Sequence, residues 1–132
     1  MTINPPASAL LIGAALLIAA CGTSTPHTPS PETMERSVIE VCQGAVRKQL
    51  KDPESARFSD WKAWTVTKGT PMGGLTYAPE LGDKFYSSGG MVNAKNGFGG
   101  YAGDKAYVCD GVVSHDGSTY AHARPMPIPG ES

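Results

Sequence analysis

Three groupings of residues in this 132-residue chain could do chemistry. His115, Asp116 and Ser118 bring the residue types of a hydrolytic triad into one short stretch. Asp116-Gly117 is, however, a strong signal for a two-residue hairpin turn, and an acid at a hairpin tip points to solvent. It cannot hold the imidazole from behind as a triad acid must. No Ser sits in a nucleophile elbow, and no pair of acids stands out as catalytic. His27, His115 and His122 raise a metal site. With a two-residue turn, His115 faces Ser118 and His122 faces Gly111. At about 3.3 Å per residue step the imidazoles then stand about 13 Å apart, too far to share one zinc. Gly97-Phe98-Gly99-Gly100-Tyr101-Ala102 matches G-x-G-x-x-A literally. A dinucleotide site needs a helix opening at those glycines, and here Gly103-Asp104-Lys105 leads into a strand pattern. The expectation is no catalytic residue, no metal site and no cofactor, hence not an enzyme.

The composition narrows the class. Eleven Lys and Arg against twelve Asp and Glu give a net charge of -1. No basic surplus exists to neutralise phosphates, so a nucleic-acid partner is not expected. Hydrophobic residues make up 40%, enough for a modest core, while 16 Gly and 11 Pro point to a loop-rich fold.

Residues 7–20 read ASALLIGAALLIAA, an apolar run below the roughly twenty residues of a membrane-spanning helix. Ile18-Ala19-Ala20-Cys21 follows, with small residues just before a Cys, as at a signal-peptide cleavage point. This segment resembles the lipobox of bacterial lipoproteins. The resemblance implies a signal peptide over 1–20, a diacylglycerol on the Cys21 sulfur, and membrane lipid as the partner of Cys21. MTINPPASAL departs from the pattern in carrying no Lys or Arg, so only the terminal amine supplies the positive charge. Residues 22–31, GTSTPHTPSP, are small, polar and Pro-rich, and read with Cys21 as a flexible tether over 21–31.

The chain has three Cys. Lipidation of Cys21 leaves Cys42 and Cys109 as one pair in an oxidising compartment. A disulfide between them is expected. It closes a loop of about 67 residues, which on the chain-entropy model stabilises by about 4 kcal/mol.

The folded part reads as a small domain over 32–122. Ser30-Pro31-Glu32 looks like a helix start, with Ser as N-cap and Pro at the first helical position. Met34, Val38, Val41, Cys42, Ala45, Val46 and Leu50 recur at helical spacing, so an amphipathic helix runs to Lys51 with Cys42 on or beside its buried face. Asp52 can cap a short turn opened by Pro53. Phe58 to Lys68 reads as a strand, with Trp64 and Val66 on one face and Trp61, Ala63 and Thr65 on the other. Lys84 to Asn93 is a second strand, loosened over Tyr86 to Gly90. Tyr101 to His115 is a third, with Ala106, Val108 and Asp110 on one side and Tyr107, Cys109 and Gly111 on the other. Thr119 to His122 is a short return strand, and 123–132 a Pro-rich tail. The fold class is α+β: one helix on one face of a three- to four-stranded antiparallel sheet, with one disulfide. A single helix leaves the other sheet face open, and aromatics there would form a binding surface.

Val41-Cys42, then Leu50-Lys51-Asp52-Pro53-Glu54-Ser55-Ala56-Arg57-Phe58, then Val92-Asn93-Ala94-Lys95-Asn96-Gly97-Phe98-Gly99-Gly100-Tyr101, then Cys109 resemble a family of small exported proteins and lipoproteins. These occur in bacteria, notably actinobacteria, and in their phages. The resemblance implies the same order of elements and the same Cys pair, and brings no catalytic residues. Asn93, Asn96, Phe98 and Tyr101 mark a turn read first as a structural connector and second as a recognition loop. The functional expectation is a non-enzymatic, lipid-anchored interaction module on the extracytoplasmic side of the cell membrane. Its partner would be an envelope or phage protein, and one form is a phage- or prophage-encoded superinfection-exclusion lipoprotein. The alternative is an inhibitor of an envelope enzyme or a small-ligand carrier.

Overall fold

The computed structural model describes residue 22 and residues 28–67 and 77–127. Cys21, the signal segment and most of the tether lie outside the described residues.

Helix α1 spans Pro31–Arg47. Ser30 caps it in extended geometry and accepts the Thr33 N–H at 3.3 Å, while Pro31, which has no N–H to leave unpaired, opens the first turn. The helix stops short of Lys51. Gln49 N–H bonds Val46 O and Leu50 N–H bonds Arg47 O, so the chain tightens into i→i+3 turns. The Gln49 amide reaches across to Ala123 O at 2.7 Å, and Pro53 forbids a continuation. Leu50 still packs against the core. Asp52 caps a single 3₁₀ turn, Pro53–Ser55, by accepting the Ser55 N–H.

Strands β1 (Arg57–Thr65), β2 (Lys84–Asn93), β3 (Lys105–Val113) and β4 (Thr119–Pro125) form one antiparallel meander in the order β1-β2-β3-β4. Helix α1 packs on one face, antiparallel to β3: Val38 lies over Gly111, and Cys42 is bonded to Cys109. Val38, Cys42 and Val46 meet Tyr86, Val92, Tyr107, Cys109, Val113 and Ala123 in the core. The expected α+β architecture and the helix-to-sheet disulfide are both present.

Four local readings need correction. In β1 a bulge at Asp60, whose φ is 52°, shifts the register between Ser59 and Lys62. Phe58, Trp61 and Ala63 therefore all pack toward the helix, which strict alternation forbids. In β2 the glycines do not loosen the strand, since pairing with β3 is continuous from Lys84 to Val92. A Cβ on Gly90 would stand 2.7 Å from Trp61 Cε3 and 2.8 Å from Trp61 Cα, so the bulge needs a glycine opposite it. Strand β3 starts at Lys105 rather than Tyr101, which instead bridges back to Lys95. Strand β4 continues to Pro125, with Ala123, Arg124 and Pro125 paired to Cys109, Val108 and Tyr107.

The β3–β4 connection also differs from the two-residue turn. Val113 pairs with Thr119, Ser114 N–H bonds Ser118 O at 2.8 Å, and Gly117 sits at φ 89°. His115, Asp116 and Gly117 form a three-residue loop with its glycine in the left-handed position. The register moves by one residue, so His122 faces Asp110 rather than Gly111. A one-residue slip turns a side chain to the other face, and His122 moves from the helix side to the side away from α1.

Candidate functional site

The register brings a row of side chains together on the face away from α1. Trp64 of β1 opposes Ser87 of β2, Ser87 opposes Asp110 of β3, and Asp110 opposes His122 of β4. Neighbouring rows place Phe85, Val112 and Tyr120 on one side and Lys62, Gly89, Val108 and Arg124 on the other. Phe85 and Val112 are buried, and Tyr77 packs its ring against Tyr120 with centroids 5.4 Å apart. Trp64 is 48% exposed. Gly89 carries no side chain, so a shallow depression of about 290 Å³ lies between Trp64 and Met126, floored by Gly89, Met91 and Val108.

Asp110 is only 7% exposed. Among the described residues, two buried side-chain polar atoms have no hydrogen-bond partner: Asp110 Oδ2 and His122 Nδ1. They belong to the directly opposed pair, whose Cβ atoms stand about 4.5–5.5 Å apart in such a ladder. Burial pushes the Asp110 carboxyl above the usual range, and the nearby charges of Arg124 and His122 pull partly against that shift. Unsatisfied polar atoms in a part-buried site cost about 1–3 kcal/mol each. The row is not a triad. Asp110 stands between Ser87 and His122, so the hydroxyl and the imidazole are not neighbours.

The end of the sheet at the β3–β4 hairpin is built differently. Asp83 Oδ2 accepts the Glu80 N–H at 2.6 Å and the Tyr77 hydroxyl at 3.0 Å, and its Oδ1 accepts the His115 N–H at 3.0 Å. Its side chain has no solvent-exposed surface. The Glu80 N–H, reinforced by the other donors, holds this carboxyl at about 2 against desolvation. His115 Nδ1 lies 3.4 Å from Glu80 Oε2, 3.5 Å from Asp83 Oδ1 and 3.4 Å from Ser114 Oγ. Asp116 accepts the Ser118 N–H at 2.8 Å, which lowers its carboxyl and fixes it in the turn rather than behind His115. The chain enters the domain here, with Thr28 and Pro29 beside Ser114 and His115.

The turn over Asn93, Asn96, Phe98 and Tyr101 lies at the opposite end. Asn96 Oδ1 accepts the N–H groups of Phe98 at 2.9 Å and Gly100 at 3.2 Å, and Asn93 Oδ1 accepts that of Gly103 at 3.2 Å. Both amides serve the backbone. Phe98 stands fully exposed at the tip. The Tyr101 ring carries the Arg57 guanidinium at 4.1 Å and the Lys95 ammonium at 5.8 Å. Ser55 Oγ accepts the Lys95 N–H and pins the turn to the 3₁₀ segment. The structure thus brings Asn93, Asn96 and Tyr101 together as a braced connector and leaves Phe98 displayed.

Among the described residues, no group of three or more His, Cys, Asp and Glu is placed to hold a metal ion. No helix among them is long and apolar enough to cross a membrane. Sequence reasoning missed the Asp110–His122 pair. A signal for it was present in β4, where Thr119, Ala121 and Ala123 alternate with the bulkier Tyr120, His122 and Arg124. Small residues fit under a close-packed helix, so that alternation by itself sends His122 to the face away from α1.

Comparison of the chain with protein-family models, with curated proteins and with solved structures finds no match.

Proposed function

We propose that the protein is a non-enzymatic interaction module, held by a lipid on Cys21 at the outer side of the cytoplasmic membrane. The observation that carries this reading is the pairing of Cys42 with Cys109 inside the core. A structural disulfide belongs to an oxidising compartment, and the pairing leaves Cys21 as the one cysteine outside the domain, directly after an apolar export-type segment. Two acyl chains on Cys21 would anchor the protein stably, and the Pro-rich tether would let the domain reach its partner. The non-enzymatic part is supported by the site geometry. Asp83, Asp116 and the two turn asparagines are committed to backbone donors, and Asp110 separates Ser87 from His122.

Intact mass of the membrane-extracted protein, with and without reduction, tests the proposal. The expected chain begins at Cys21, carries a diacylglycerol adduct and gains two hydrogens on reduction. An unprocessed chain without lipid would overturn it. The specific form, a superinfection-exclusion lipoprotein acting on an incoming phage or its injection machinery, rests on the family resemblance. Expression in a susceptible host is expected to lower plating efficiency of at least one phage without lowering adsorption. Plating equal to controls across the host's phages would remove that form and leave the module.

A further inference from the structure

We infer that the cavity between the end of α1, the far turn and the start of β3 is a binding site for a phosphate monoester, held by Lys51, Lys95 and Lys105. The inference goes beyond the interaction-module reading and stands on the domain alone. The chain carries a net charge of -1, but that charge is unevenly spread. Arg47, Lys48, Lys51, Arg57, Lys95 and Lys105 lie at the end of the domain opposite the tether. Lys51, Lys95 and Lys105 come from three separate segments and line one cavity of about 190 Å³. No Asp or Glu lines it. Asp52 and Asp104, next in sequence to two of the lysines, stay outside, and Asp52 is committed to the Ser55 N–H. Among the described residues, none of the three lysines is in an ion pair. The neighbouring arginines are engaged by rings, Arg57 over Tyr101 at 4.1 Å and Arg47 over Phe58 at 4.7 Å. The Lys95 ammonium stands 5.8 Å from the Tyr101 ring, near the outer limit of such a contact.

Like charges around one hollow repel one another, so the site favours an anion that answers all of them. A phosphate monoester brings a charge of about -1.5 to -2 at neutral pH and several strong acceptor oxygens, arranged tetrahedrally. Ammonium groups arriving from different segments suit that shape as point charges. A carboxylate carries less charge in a single plane, which an arginine fork matches better. Leu50, Val92 and Tyr107 add apolar wall for the carbon part of an ester. Pockets for drug-sized ligands begin near about 300 Å³, so this one suits a phosphate with a few carbons. Its frame is tied together. Ser55 Oγ accepts the Lys95 N–H at 2.8 Å, Ala94 O accepts the Ala102 N–H at 3.1 Å, and Lys105 pairs with Val92. The lysine side chains alone need to turn toward a ligand. Thr28 and Pro29 bring the tether in at the opposite end, which favours a soluble ester over a headgroup of the membrane the tether would reach.

Titration of the full-length protein in a nonionic detergent with glycerol 3-phosphate, glycerol and acetate tests this by calorimetry and NMR shift mapping. Saturable binding of glycerol 3-phosphate alone is expected, with shifts centred on Lys51, Lys95 and Lys105. Lys51→Gln, Lys95→Gln and Lys105→Gln should each weaken it by up to about fivefold, and the triple variant by about tenfold or more. Lys51 and Lys105 are exposed, so their single variants stay folded and readable whatever the triple variant does. Lys84→Gln, an exposed lysine at the tether end, should bind as the wild type does. No saturable binding of glycerol 3-phosphate, acetate bound as tightly, or an equal loss in Lys84→Gln would each overturn the inference. Dihexanoyl phosphatidic acid separates the sources, and either result keeps the phosphate site. Tighter binding than glycerol 3-phosphate assigns a lipid headgroup; equal or weaker binding assigns a soluble ester. A lipidated protein that binds no phosphate keeps the anchoring and loses this inference; an unlipidated one that binds does the reverse.

Discussion

The two faces of the sheet differ by one residue step and by the fate of their polar groups. Under the helix, Ser88 is fully buried, and it accepts from Trp61 Nε1 at 2.8 Å while donating to Lys62 O at 2.8 Å. Its neighbour Ser87 points the other way, beside Asp110. Cys109 is locked into the core disulfide, whereas Asp110, the next residue, has an oxygen with no partner. Ala123 fills the space under α1, whereas His122 leaves a ring nitrogen unpaired. The helix face satisfies the polar groups that the structure describes at those positions, and the opposite face leaves two buried atoms unsatisfied. The satisfied polar groups are therefore concentrated on one side of the sheet and the unsatisfied ones on the other. Substitutions at adjacent residues should separate the two.

The largest effect is expected at the disulfide. Cys42→Ala with Cys109→Ala should lower unfolding free energy by about 4 kcal/mol on the chain-entropy model. Urea denaturation of the oxidised wild type against the double variant measures it. A loss below about 1 kcal/mol would mean that the denatured chain is already compact and that the helix face depends little on the bridge.

Next comes the serine pair. Ser88→Ala strands the Trp61 indole N–H and the Lys62 carbonyl in the core, and should cost about 1–3 kcal/mol. Ser87→Ala, one residue away, should stay within about 0.5 kcal/mol. Equal losses at the two positions would break the contrast between the faces.

Most of the helix face was legible in the sequence, because its signals are local. Ser30-Pro31-Glu32 fixes the helix start, the spacing of Val38, Cys42 and Val46 fixes its buried stripe, and cysteine parity pairs Cys42 with Cys109. The face away from α1 was not legible, because it depends on register. The Asp116-Gly117 dipeptide reads as a two-residue turn, yet the Ser114–Ser118 bond closes a three-residue loop around it. That choice is made by packing at both ends of the hairpin, with Tyr77 and Asp83 holding Ser114 and His115 at one end and α1 over Ala123 at the other. The bulge at Asp60 was hidden for a similar reason. Its marker is a glycine on another strand, Gly90, whose closeness to Trp61 only the fold reveals.

Two acids sharpen the comparison through pH, with opposite signs. Asp83, held at about 2 by its backbone donors, is deprotonated in the fold below its ordinary value of 3.8. The unfolded chain then binds more protons, so Asp83 contributes stability above 3.8 that is lost as pH falls through about 2. Asp110 is raised above 3.8 by burial, so the folded chain binds more protons between that value and its own pKa. Its contribution therefore grows as pH falls through the raised pKa and levels off below 3.8. Denaturation followed from pH 7 downward should show Asp110→Asn losing the gain at mildly acid pH and Asp83→Asn losing the fall near the acid limit. The same sign for both variants would show that Asp110 is satisfied in solution.

The smallest effect separates display from bracing within the far turn. Phe98 is fully exposed and makes no core contact, so Phe98→Ala should change stability by less than about 0.5 kcal/mol. Asn96→Ala removes the acceptor of two backbone N–H groups in an exposed turn, and should cost about 1 kcal/mol, the net worth of such bonds where water can partly replace them. Urea midpoints of the two variants decide the order. If Phe98→Ala proved the costlier, the ring would have to be buried against something in solution. The far turn would then be a contact surface, rather than only the connector its asparagines make it.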